Sequence, residues 1–124
     1  MPTVNVRYIV DDVDAAVAFY TTQLGFELVM HPAPTFAAVS LGGVRLYLNA
    51  PGAGGGGQSL PDGRTPEPGG WNRIQLEVDD LERRVDALHR AGVPTRSAII
   101  HGQGGDQVIV DDPAGNPVEL FQPH

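Results

Sequence analysis

The sequence has no cysteine, which removes a disulfide framework, a thiolate metal site and a cysteine nucleophile from consideration. Basic residues are scarce. Against 15 Asp and Glu there are 8 Lys and Arg, and the net charge of -7 argues against a nucleic-acid partner. Such a charge mildly favours cationic ligands, but more often it serves solubility alone. No segment approaches the length of a membrane span, and MPTVNVRYIV has no apolar run preceded by basic charge. A soluble cytoplasmic protein with no membrane partner is therefore expected. Aromatic residues are few, at 6%, with Trp71 the single tryptophan. What is present is a globular balance: 41% hydrophobic and 19% charged residues in a chain of 124, enough for one domain with its own core.

That domain is built on an internal repeat. VNVRYIVDDVDAAVAFYTTQLGF begins at Val4 and NRIQLEVDDLERRVDALHRAGV at Asn72, so that Val10-Asp11-Asp12-Val13 matches Val78-Asp79-Asp80-Leu81 at an offset of 68. Each copy reads as a strand, an Asp-Asp turn and a helix ending at a glycine. Asp12 and Asp80 are placed to cap the helix N-termini, where a carboxylate accepts orphan amide hydrogens and meets the positive end of the dipole. Val13, Ala16, Val17 and Tyr20 form one helical stripe, and Leu81, Val85 and Leu88 form the other. Gly25 and Gly92 can take the left-handed conformation that closes a helix.

The remainder of each copy alternates like strands. FELVMH and SAIIHG supply one strand each. TFAAVSLGGVRLYLNA gives two more around Gly42-Gly43, and GDQVIVDDPAGNPVELFQ gives two around the turn at Asp112-Pro113-Ala114-Gly115-Asn116. The pattern is βαβββ twice, an α+β arrangement of module one at 1–50 and module two at 71–124, within one domain spanning 1–124. Between them, Pro51 to Gly70 is rich in Gly and Pro without periodicity, which predicts a mobile surface loop that is either a tether or a lid.

VDDVDAAVAFYTTQLGFEL, VDDLERRVDALHRAGV and DDPAGNPVELFQ together resemble the glyoxalase/bleomycin-resistance/dioxygenase superfamily, the vicinal oxygen chelate fold. The resemblance covers most of the chain outside the linker. It implies a cup-shaped, open mixed β-sheet barrel with the helices outside. In WNRIQLEVDD it then places Arg73, Gln75 and Glu77 toward the cup and Ile74, Leu76 and Val78 beneath the helix.

Catalytic members of that family hold a divalent ion with His, Gln or Glu from the first and last strand of each module. By resemblance those positions fall on Asn5, Arg73, Tyr47 and Glu119, of which only Glu119 is a good ligand. A guanidinium has no lone pair to give and its charge would repel a dication. Zinc, iron or nickel needs about three imidazole, carboxylate or thiolate ligands. His31, His89, His101 and His124 form no HxxxH-like pair. The reading is no metal and no cofactor. Arg73 and Glu119 would instead pair, either as internal glue or as a pair that also meets a ligand. By strand parity the polar lining is Asn5, Arg7, Arg45, Tyr47, Asn49, Arg73, Gln75 and Glu119. Trp71, Phe36 and Phe121 could add apolar surface, although a lone Trp at a strand start is often a packing residue.

Other chemistries find no support. GAGGGGQS opens no helix and lacks the phosphate-loop lysine, Ser40, Ser59 and Ser97 have no evident His–Asp partners, and Asp111-Asp112 reads as a turn. Two function classes stay open. One is a metal-free protein resembling the bleomycin-resistance branch, sequestering a planar or aromatic natural product or antibiotic and acting as a homodimer. The other is a glyoxalase- or dioxygenase-type enzyme of the same fold.

Overall fold

A computed structural model describes residues 3–124; Met1 and Pro2, at the start of module one, lie outside the described residues. Contacts divide the chain into two compact units, 1–69 and 70–124. The first contains β1 (Asn5–Ile9), α1 (Val13–Ala18), β2 (Glu27–Ala33), β3 (Phe36–Leu41) and β4 (Val44–Asn49). The second contains β5 (Ile74–Glu77), α2 (Leu81–Arg90), β6 (Ile100–His101), β7 (Gly105–Asp111) and β8 (Pro117–Pro123). Each unit is thus βαβββ, and each builds a four-stranded mixed sheet, in the orders β1-β4-β3-β2 and β5-β8-β7-β6. The first strand of each unit runs parallel to its last, while the remaining pairs are antiparallel.

The expected caps form. Asp12 accepts the Ala15 amide at 3.0 Å, and Asp80 accepts the Arg83 amide at 3.1 Å. Gly25 and Gly92 each close their helix at φ +79. Alternation then divides each sheet into an apolar face beneath the helix and a face that carries the polar residues. In module one α1 packs on β3 and β4, over Val39, Leu46 and Leu48, which are fully buried. In module two Leu81, Val85 and Leu88 of α2 are buried with Val108, Val110, Val118 and Leu120. Each such aliphatic side chain contributes roughly 1.5–3 kcal/mol on burial, which fixes the strand register and hence the polar faces.

Two expectations need correction. The first helix stops at Ala18 and continues as a π-helical turn over Phe19–Gln23, so Phe19 joins Tyr20 in the core while Val17 is only half-buried. Tyr20 meets Tyr8 of β1 edge-on at 6.4 Å, and Phe19 packs edge-on against Tyr20 at 5.2 Å. SAIIHG contributes only the two-residue β6, because Ser97, Ala98 and Ile99 do not pair as strand. The Pro51–Gly70 segment is largely exposed, as expected of a surface loop, and it holds some local structure. Gly55–Gly57 form a 3-10 turn with Gly57 buried, the Gly52 amide donates to the Gly57 carbonyl at 2.6 Å, and Leu60 donates to Arg64 at 2.8 Å. Glycines close these turns through backbone contacts, which leave no apolar periodicity to read. Among the described residues no helix is long and apolar enough to cross a membrane.

Candidate functional site

The polar face of module two is organised by one carboxylate. Glu119 lies in β8 and is the parallel partner of Gln75, with a relative exposure of 7%. Its Oε1 accepts from Arg73 Nε at 3.0 Å and Nη2 at 2.9 Å, and its Oε2 accepts from Gln75 Nε2 at 2.7 Å. With its amide nitrogen turned toward Glu119, Gln107 of β7 adds donations at 3.1 and 3.2 Å. A charge this well buried is costly unless hydrogen-bonded, and here a guanidinium and two amides satisfy it. Phe121 follows on the same face, its ring against Gly105, where a Cβ would meet Phe121 Cζ at 2.7 Å.

Trp71 stands apart from the core at 70% exposure. The Arg96 guanidinium lies over its ring, 4.7 Å from the centroid, and is itself held by Asp111 at 2.8 Å and by the Gly115 carbonyl at 3.4 Å. Arg73 also touches this edge, donating to the Trp71 carbonyl at 3.1 Å. The ring is therefore neither core nor strand packing. It is an open aromatic surface with a cation against it.

Module one brings together a second group. Arg7 of β1 and Tyr47 of β4 are parallel partners, as are Asn5 and Arg45. Arg7 donates to the Oδ1 of Asn49 and sits over the Tyr47 ring at 5.3 Å, while Phe36 tilts against Tyr47 at 5.7 Å. Asn5 and Arg45, with Ser40, line an open recess of about 380 Å³ at the other end of this sheet. Tyr47 pairs with Arg7 as Glu119 pairs with Gln75, so the two last-strand positions correspond between the modules.

A divalent ion does not fit these residues. Among the described residues no three His, Asp or Glu side chains gather, and the Glu119 oxygens already face Arg73, Gln75 and Gln107. The four histidines are dispersed, His31 near Asp14, His89 with Thr95, His101 with Asp106 and His124 with the Gly102 carbonyl. Asp112 is a turn residue. Its Oδ1 takes the amides of Ala114 and Asn116, both at 2.9 Å.

Known proteins place this architecture. The profile of the Glyoxalase/Bleomycin resistance protein/Dioxygenase superfamily matches residues 4–120. The chain belongs to that superfamily. Among curated proteins none matches it. Among solved structures, a superfamily member from Sphaerobacter thermophilus DSM 20745 is 27% identical with TM-score 0.77, over 98% of this chain and 97% of that one. TnmS3, an antibiotic binding protein from Streptomyces sp. CB03234, is 24% identical with TM-score 0.74, over 100% and 97%. A lactoylglutathione lyase from Agrobacterium tumefaciens is 24% identical with TM-score 0.71, over 98% and 92%. At that identity the last two establish a common fold only.

Sequence reasoning did not name Gln107 or Arg96. Gln107 was within reach, because a hairpin closed at Asp112–Asn116 pairs Ile109 with Glu119 and leaves Gln107 on the same face. Arg96 gave no signal, since it lies outside the regular strands, beside an isolated bridge at Thr95.

Proposed function

We propose that this chain is a metal-free small-molecule-binding protein, sequestering a planar or aromatic natural product or antibiotic in the cup of its family's architecture. Resistance or self-protection is the corresponding role. The observation that carries the reading is the occupied state of Glu119: the one good ligand at the family's metal positions is committed to Arg73, Gln75 and Gln107. The binding residues on this reading are Asn5, Arg7, Phe36, Arg45, Tyr47 and Asn49 of module one. From module two they are Trp71, Arg73, Gln75, Glu119 and Phe121. Aromatic rings beside a few fixed polar groups suit such a ligand. The fold neighbours include an antibiotic-binding protein and a lyase, so the preference for binding rests on the residues rather than on likeness.

The two modules act as one functional domain on this reading, and the protein is a homodimer. Leu28, Val29 and Met30 lie exposed on β2, one of the two edge strands of module one, and a paired copy would cover them. The test is a thermal-shift panel of planar antibiotics, run with and without a chelator. Stabilisation by at least one compound, unchanged by the chelator, is the expected result. Metal-dependent turnover of lactoylglutathione, with no stabilisation by any antibiotic, would favour the enzyme reading instead.

A further inference from the structure

All eight basic residues are arginines, and Arg7 is held unlike the others. Arg64, Arg73 and Arg96 each bind a carboxylate, from Asp62, Glu119 and Asp111. Arg83, Arg84 and Arg90 lie along α2 between its buried positions. Arg7 is restrained on several sides, yet none of its partners among the described residues is an acid. One Nη donates to the side chain of Asn49, which is only 2% exposed and so gives a fixed anchor. The Tyr47 ring lies beneath the guanidinium. Gly56, in the 3-10 turn, lies against its far end, where a Cβ would overlap Cδ, Cζ and Nη1.

A guanidinium offers five N–H donors, and Asn49 uses one of them. Arg7 is nonetheless exposed, so the remaining donors can be reached from outside. Holding a flexible cation in place without neutralising it removes much of the ordering cost of binding an anion. Arg45 stands further along the same sheet face and adds a second positive charge there, a local sign opposite to the overall charge of -7. Phe36 and Tyr47 supply tilted rings beside it.

We infer that Arg7 is an anion-recognition site, and that the ligand carries a carboxylate or similar oxyanion on an aromatic ring. The aromatic part rests on the proposed binding function; the oxyanion part does not. The glycine-rich turn has a defined task on this account, which is to keep Arg7 in place. Gly56→Ala leaves the guanidinium chemically intact but pushes it aside, and since a flexible side chain is what yields, the fold survives.

The probes are benzoate, its neutral isostere benzamide, and inorganic sulfate, each titrated against the full chain while the arginine Nε–H resonances are followed by NMR. Benzoate should shift the Arg7 resonance saturably, while Arg83 and Arg90 follow bulk ionic strength. Benzamide should leave Arg7 unmoved. Gly56→Ala and Arg7→Lys should each weaken benzoate binding, and Arg7→Ala should weaken it at least about tenfold, the worth of one charge-assisted contact. A response to sulfate equal to that for benzoate would keep the oxyanion site and remove its aromatic part, a failure of the proposed function alone. An Arg7 resonance that behaves like Arg83 with every anion would overturn the inference, whatever the antibiotic panel shows.

Discussion

Arg73 directs two nitrogens at one oxygen of Glu119, Nε at 3.0 Å and Nη2 at 2.9 Å, and so leaves the second oxygen to Gln75. The pair is partly buried, with side-chain exposures of 26% and 9%. Removing the guanidinium strands a carboxylate that Gln75 and Gln107 still satisfy in part. Arg73→Ala should therefore cost about 1–3 kcal/mol, below the range for a fully buried pair because water reaches the arginine. The double change with Glu119→Ala should cost less than the two single changes summed, by about 1 kcal/mol. Chemical denaturation of the four proteins checks this. Additive losses would mean that the two side chains do not interact in solution.

The turn that leads into β8 depends on Asp112, which is 4% exposed and accepts two amides on one oxygen and the Asn116 side chain on the other. Asp112→Ala leaves buried amides without acceptors and should cost about 2–4 kcal/mol. Asp112→Asn keeps an oxygen for those amides and should cost distinctly less. Equal losses in urea titrations would contradict the assignment of Asp112 to turn closure.

Much of this was legible in the sequence. The repeat from Val4 and Asn72 carried the βαβββ order, the caps at Asp12 and Asp80 and the closing glycines, because each is a local preference with a local cause. The Arg73–Glu119 contact followed from the family resemblance, which puts both residues at positions that would otherwise share one ion. Features made by backbone packing were not legible. Gly56 against Arg7 leaves no side-chain pattern, the π turn at Phe19 breaks the helical period on which the stripe depended, and Arg96 reaches Trp71 from outside the regular strands.

Trp71 reports on Arg96. A single tryptophan at 70% exposure should emit as a solvated indole and be quenched efficiently by iodide, which the adjacent guanidinium attracts. Arg96→Ala should lower the iodide quenching constant while leaving acrylamide quenching nearly unchanged. Its stability cost should stay near the 0.5–1 kcal/mol of an exposed cation–π contact plus that of the ion pair with Asp111. Identical iodide quenching in both proteins would separate the ring from Arg96.

The edge of module one makes the homodimer testable. Leu28, Val29 and Met30 are 52%, 40% and 39% exposed on β2. Light scattering at micromolar concentration should give twice the chain mass, and Val29→Lys should shift it toward the single-chain value, since a charge on an edge strand opposes pairing. A monomer in both proteins would contradict the dimer without touching the Glu119 cluster.

The most direct measurement is the metal content of the protein, purified without chelator and then incubated with zinc, nickel, iron or manganese salts before desalting. With Glu119 held by Arg73, Gln75 and Gln107, elemental analysis should find well under one metal ion per chain, and the same for Glu119→Ala. One ion per chain in the native protein, lost in Glu119→Ala, would show that a metal displaces the arginine and would contradict the account at its centre.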